Sequence, residues 1–111
     1  ILNNEAIENY LDAFGFESVD TEGMTLLEQI QLFSNSKVVI GIHGAGLANI
    51  IYRFGRPLHV IEIFPSNFIP DHYKIISELL DYSYTRVIGG PLEDKVFYLD
   101  ILAFEGIIEN L

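Results

Sequence analysis

Apolar positions along this chain switch between a helical period and short unbroken runs, and the switches mark the elements. Ile7, Tyr10, Leu11 and Phe14 recur at helical spacing, with Asn3 or Asn4 placed to cap the start and Gly15 to stop it. Phe16 to Asp20 predicts a short strand, and Asp20 to Gly23 a turn. Thr25-Leu26-Leu27-Glu28 is a capping box, opening a helix whose apolar face is Leu26, Leu27, Ile30 and Phe33. Val38, Val39, Ile40 and Ile42 form an apolar run, expected as a strand buried on both faces of a parallel sheet. Leu47 to Tyr52 can open a helix, and His59 to Phe64 predicts a second buried strand closed by Pro65. Pro70-Asp71 starts a further helix with Tyr73, Ile76, Leu79 and Leu80 on one face. Tyr82 to Ile88 reads as β, Val96 to Leu99 as a last short strand, and the residues from Asp100 as a terminal helix. Strands alternating with helices through short connections predict a single three-layer α/β domain over 1–111, with a mostly parallel sheet and helices on both faces.

The stretch from Lys37 to Arg53, KVVIGIHGAGLANIIYR, organises this pattern. Gly41, Gly44 and Gly46 fall within six residues around His43, between a strand and a helix start. Glycines let backbone approach a phosphate, and unpaired N–H groups at a helix N-terminus point toward it. The spacing G-x-x-G-x-G is not the dinucleotide fingerprint G-x-G-x-x-G, so a tight packing turn and an anion cradle both stay open. The loop falls at a strand's carboxyl end, where ligands of such sheets sit.

Composition narrows the partners. Sixteen acidic against six basic residues give a formal charge of −10, which argues against a nucleic-acid groove. A small anion remains compatible, since a few N–H groups and one cation suffice locally. Half of the 111 residues are hydrophobic, as in a folded unit. No apolar run nears the ~20 residues of a membrane span, so no membrane segment is expected in this chain. The absence of cysteine excludes disulfides and thiolate metal sites here and favours a reducing compartment. With no initiator Met, and with its first residues already the approach to a helix, the chain is read as a piece of a longer protein.

Among the chemical candidates His43 leads, because a packing turn needs no imidazole, whereas one at a strand's end can bind phosphate or work in acid–base chemistry. Asn49 can bind a ligand or brace the turn, and Gln29 can hold the loop, reach a base edge or simply face solvent. Glu62 interrupts a buried strand, where a charge is costly unless paired. It can hold ribose hydroxyls at a strand's carboxyl end, or lie at a sheet edge facing solvent. His59 and His72 are read as structural, and Tyr82 and Tyr84 as packing. Arg53 and Arg56 are the cations nearest the loop. No metal-ligand spacing, Walker loop or G-x-S-x-G elbow is present, so no metal or cofactor is expected and a hydrolase reading lacks its nucleophile.

Taken together, N-x-E near the start, G-F-E-x-V, T-L-L-E-Q-I-Q-L-F, V-V-I-G-I-H-G-A-G-L-A-N-I-I-Y and V-I-E-I resemble the family-61 glycosyltransferases over Asn4 to Pro65. That group includes capsular-polysaccharide-type, xylan-modifying and O-linked GlcNAc-transferring enzymes. The resemblance implies the C-terminal, nucleotide-sugar-binding half of a GT-B enzyme, with an active site in the cleft between two domains. By position, Glu28 and Gln29 match the family's E-Q pair. His43, Gly44, Ala45, Gly46 and Asn49 match its H-G-A-G-L-x-N loop, and Glu62 its acid after the next strand. Ala48 stands where the family usually has Thr, so a hydroxyl is lost there.

The resulting expectation is the donor-binding domain of an inverting, cytoplasmic glycosyltransferase, with membrane association left to regions outside this chain. His43 is the catalytic candidate, and Gln29, Gly41, Gly44, Ala45, Gly46, Asn49 and Glu62 are the substrate-binding ones. Its partners are a nucleotide-sugar donor, UDP-linked first, and a glycan acceptor held by the other half. The competing expectation is a non-catalytic sugar-nucleotide-binding or interaction domain.

Overall fold

The computed structural model describes residues 3–111, apart from the side chain of Ala45. The chain is a small α/β fold whose helices are α1 (Asn4–Ala13), α2 (Leu26–Ser34), α3 (His72–Leu79) and α4 (Ile101–Glu109). Its strands are β1 (Val38–Ile42), β2 (His59–Phe64) and β3 (Ser83–Ile88), and two segments, Thr21–Gly23 and Ala45–Arg53, wind as 3₁₀ helix. The strands form one mostly parallel sheet in the order β1-β2-β3. Two compact units divide the chain: Asp20–Phe64 with Pro70–Val87, and Ile1–Val19 with Pro65–Ile69 and Ile88–Leu111.

In the sheet unit, the capping box opens α2 as the sequence predicts. Thr25 Oγ1 accepts from the Glu28 N–H at 3.1 Å, and Glu28 Oε1 accepts from the Thr25 N–H at 3.1 Å. Those hydrogen bonds hold the Glu28 carboxyl below its usual range. The apolar face differs from expectation, however. Leu26 and Leu27 are each 63% exposed, whereas Phe33 is buried, so α2 packs through its C-terminal half. Phe33 joins Leu47, Ile50, Leu58, Val60, Tyr73 and Tyr82 in one core cluster.

The expected burial of β1 on both faces is corrected. Lying beside β2 alone among the described strands, β1 is half-buried and ends on an exposed Ile42. The fully buried strand is β2, from Val60 to Phe64. Register pairs Gly41 with Glu62 and Ile42 with Ile63 in parallel. Side chains alternate between faces along a strand, so Gly41, Glu62 and Phe64 share one face.

The segment after the glycines is 3₁₀ rather than α. Among its described side chains Leu47, Ile50 and Arg53 are buried, spaced by three, and three residues per turn puts them on one edge. An α-helix would rotate them off that edge by about 60° each step. Arg53 is buried here because its guanidinium ties loops together: Nε donates to the Pro57 carbonyl at 3.0 Å and Nη1 to the Ser34 carbonyl at 2.6 Å. It serves the fold and not the loop ahead of it.

The second unit is built on α1 and α4. Ile7, Phe104 and Ile108 are buried, together with Phe97 and Leu99. Asn3 precedes α1 without capping it; its amide instead donates to the Leu99 carbonyl at 2.7 Å and accepts from the Leu99 N–H at 3.1 Å. Asp100 caps α4 through the N–H groups of Leu102 and Ala103. Neither short strand expected here forms. Phe16 to Asp20 is irregular and mostly exposed, and Val96 to Leu99 leaves only an isolated bridge between Val96 and Glu93. Alternating apolar residues had no neighbouring strand to pair with. Gly89 is required by close approach, since a Cβ there would lie 2.7 Å from the Tyr98 carbonyl oxygen.

Candidate functional site

His43 directly follows β1, and its N–H continues the ladder by donating to the Ile63 carbonyl at 3.0 Å. That bond carries the sheet register one residue further, so the imidazole projects on the same face as Glu62 and Phe64. Phe64 stacks under it, with centroids 5.5 Å apart and planes 22° apart. Two residues at the start of α3 complete the surround: the His72 ring centroid lies 5.7 Å from that of His43 and the Tyr73 ring 5.4 Å. His72, expected to be only structural, therefore borders the candidate site.

Glu62 is fully buried and paired, as a charge in a covered strand must be. Its Oε2 lies 2.6 Å from His43 Nδ1, and its Oε1 accepts a short hydrogen bond from the Tyr84 hydroxyl. With Glu62 ionised, the shared proton sits on Nδ1 and the imidazole donates. The carboxylate is thus occupied from both sides by its own chain. Burial, and then the hydrogen bond to Glu62, push the Tyr84 phenol up to about 12. Burial and the nearby Glu62 charge raise Tyr73 as well.

The glycine loop is braced from α2. Gln29 Oε1 accepts from Asn49 Nδ2 at 2.9 Å, while Gln29 Nε2 donates to the Met24 and Thr21 carbonyls at 3.2 and 3.4 Å. Asn49 Nδ2 also donates to the Gly46 carbonyl at 3.1 Å, three residues back along the 3₁₀ helix. Gln29 and Asn49 therefore form one strut under the loop. Gly41 is packed, since a Cβ there would meet Leu47 at 3.0 Å. Gly44 and Gly46 are not: an added Cβ would find its nearest neighbour at 3.8 and 3.6 Å, and Gly44 is extended, with φ 174°. The side chain of Ala45 lies outside the described residues.

Of the expected site residues, the fold thus gathers His43 and Glu62 into one hydrogen-bonded pair and Gln29 and Asn49 into another. Both pairs flank the turn from Gly44 to Gly46. Tyr84 and Arg86 were not expected in the site. Arg86 Nε donates to the Tyr84 hydroxyl at 3.3 Å, and its guanidinium lies over the Phe64 ring at 5.2 Å. The signal for both is the alternation Y-x-R in a strand, which puts a phenol and a cation on one face beside a buried acid.

Other features point away from different sites. Among the described residues no group of three or more His, Cys, Asp or Glu could hold a metal ion. No helix among them is long and apolar enough to cross a membrane. An open cleft of about 440 Å³ lies at the amino ends of the strands, lined by Lys37, Arg53, Pro57, Leu58, His59 and Ser83. Its His59 is satisfied by Thr85 Oγ1 at 2.8 Å, and Arg53 by the carbonyls named above.

No curated protein and no solved structure in the comparisons matches this chain. The sequence model described as Glycosyltransferase 61 matches residues 1–61, which include α2, β1 and the whole glycine loop and end one residue short of Glu62. With more than half of its length covered by that match, the chain belongs to the glycosyltransferase 61 family.

Proposed function

We propose that this chain is the nucleotide-sugar donor-binding domain of an inverting glycosyltransferase, forming the Rossmann-like C-terminal half of a GT-B enzyme. The observation that carries this reading is His43: an imidazole at the carboxyl end of a parallel strand, heading a glycine turn and held by a buried carboxylate. Ligands of parallel α/β sheets sit at that end. Gly44 and Gly46 support it, because a Cβ at either would make only ordinary contacts, at 3.8 and 3.6 Å, so the chain's own packing does not demand glycine there. Glycine at both keeps the loop backbone bare for a diphosphate.

In the reaction, an acceptor hydroxyl oxygen bonds to the anomeric carbon from the face opposite the departing phosphate oxygen. The C–O bond to phosphate breaks, and its electron pair leaves with the diphosphate. A base supplied by the other half takes the hydroxyl proton. Negative charge grows on the leaving group, and it is met by the N–H groups of the loop and by His43 once its outer nitrogen, Nε2, also carries a proton. Gln29 and Asn49 keep the loop in shape. Glu62, with both oxygens occupied, acts by fixing His43 rather than by holding a ribose.

The test is transfer by the full-length parent from a panel of UDP-, GDP- and CMP-sugars to glycan acceptors. The expected result is transfer from one donor, first among them a UDP-sugar, with inversion at the anomeric carbon. Nucleotide binding without transfer from any donor would assign the chain to a non-catalytic binding module.

A further inference from the structure

We propose that Tyr84 and Arg86 are positioning residues that lock the His43 ring, through Glu62 on one side and through the start of α3 on the other. The inference rests on the donor-site reading for its purpose but not for its geometry.

The direction of the first two hydrogen bonds in this relay is set by its first member. A guanidinium can only donate. The Tyr84 hydroxyl accepts from Arg86 Nε, so its own proton is directed to Glu62 Oε1. An ionised Glu62 accepts at Oε2 as well, and His43 Nδ1 supplies the proton there. The imidazole is thereby held in one tautomer, with Nδ1 turned inward. Arg86 has a second route to the same ring. Its Nη2 donates to the Pro70 carbonyl at 3.1 Å and pairs with Asp71. Asp71 precedes α3, and the rings of the next two residues, His72 and Tyr73, border His43 beside Phe64. That pairing holds the Asp71 carboxyl below its usual range.

Both routes lie on one sheet face, reached from β3 by residues two apart in sequence. Neither residue falls within the segment matched by the family, which stops at Ile61. Packing alone does not explain the arrangement. A Phe would fill the place of Tyr84 in the half-buried strand without giving Glu62 a donor.

Histidine-ring ¹⁵N–¹H correlation spectra of the nucleotide-free chain test this directly. In the wild type, His43 is expected as a single Nδ1-protonated tautomer with a slowly exchanging Nδ1–H. Tyr84→Phe keeps the ring and removes the hydroxyl. With backbone amide signals otherwise retained, His43 should move toward mixed tautomers, and its Nδ1–H should exchange about tenfold faster, the scale of one lost hydrogen bond. Arg86→Lys, which keeps the charge but loses the fork, should do the same and also shift His72. It carries the test if Tyr84→Phe does not fold. An unchanged His43 tautomer and exchange rate in the folded variants would overturn the proposal. Altered His43 signals in a chain that binds no nucleotide would leave the positioning role standing and remove the donor reading instead.

Discussion

Replacing Glu62 by alanine lowers the stability of the chain by roughly 2–5 kcal/mol, the range for emptying a fully buried site of this size. Glu62 has no exposed surface, so its removal leaves a cavity in the central strand. It also strands two donors, His43 Nδ1 and the Tyr84 hydroxyl, and each unmade hydrogen bond in a covered place costs about 1–3 kcal/mol. These costs overlap, because a collapsing cavity can admit water to one donor, so they do not sum. Glu62→Gln separates the two contributions. It keeps the volume but offers one acceptor oxygen to two donors, so it should cost less than the alanine change and still perturb His43. Urea unfolding midpoints of the three proteins measure this. A Glu62→Ala midpoint within error of the wild type would mean that the carboxylate is not the buried hub placed here.

The second large effect is on binding. His43→Ala should weaken UDP binding about 5- to 150-fold, equivalent to the ~1–3 kcal/mol of a hydrogen bond to a charged group. The fold should survive, since the ring is partly exposed and its stacking partner Phe64 is buried independently. The buried Glu62 would lose one donor, so some destabilisation accompanies the change, and affinity must be measured where the variant is fully folded. Unaltered affinity in a folded variant would return His43 to a structural role and leave the loop backbone as the whole anion site.

Much of this architecture can be read from local sequence. The Thr25–Glu28 box, the apolar run of β2 and Asp100 before α4 all use short-range chemistry, and each element formed where that chemistry places it. Phe16 to Asp20 and Val96 to Leu99 failed for the complementary reason: a strand exists only if another strand accepts its hydrogen bonds, and that is not a local property. The 3₁₀ winding was present in the sequence as Leu47, Ile50 and Arg53 at intervals of three, but an arginine does not announce itself as a buried residue.

The site divides in the same way. Glu62 stands out in the sequence as a charge that needs a partner, yet the partners lie 19 and 22 residues away. They are brought to it by the register of β1 on β2 and by β3 lying alongside. Asn49 and Gln29, each readable as ligand-facing or structural, turn out to hold each other, which fixes the loop.

In the donor-site reading, the turn from Gly44 to Asn49 receives the diphosphate of a sugar nucleotide. Titrating UDP into the ¹⁵N-labelled chain while following its backbone amide signals tests it most directly. Saturable shifts concentrated on Gly44 to Asn49 and His43, weakened in His43→Ala, are expected. Loop signals that stay in place at millimolar UDP while signals elsewhere in the chain move would contradict it.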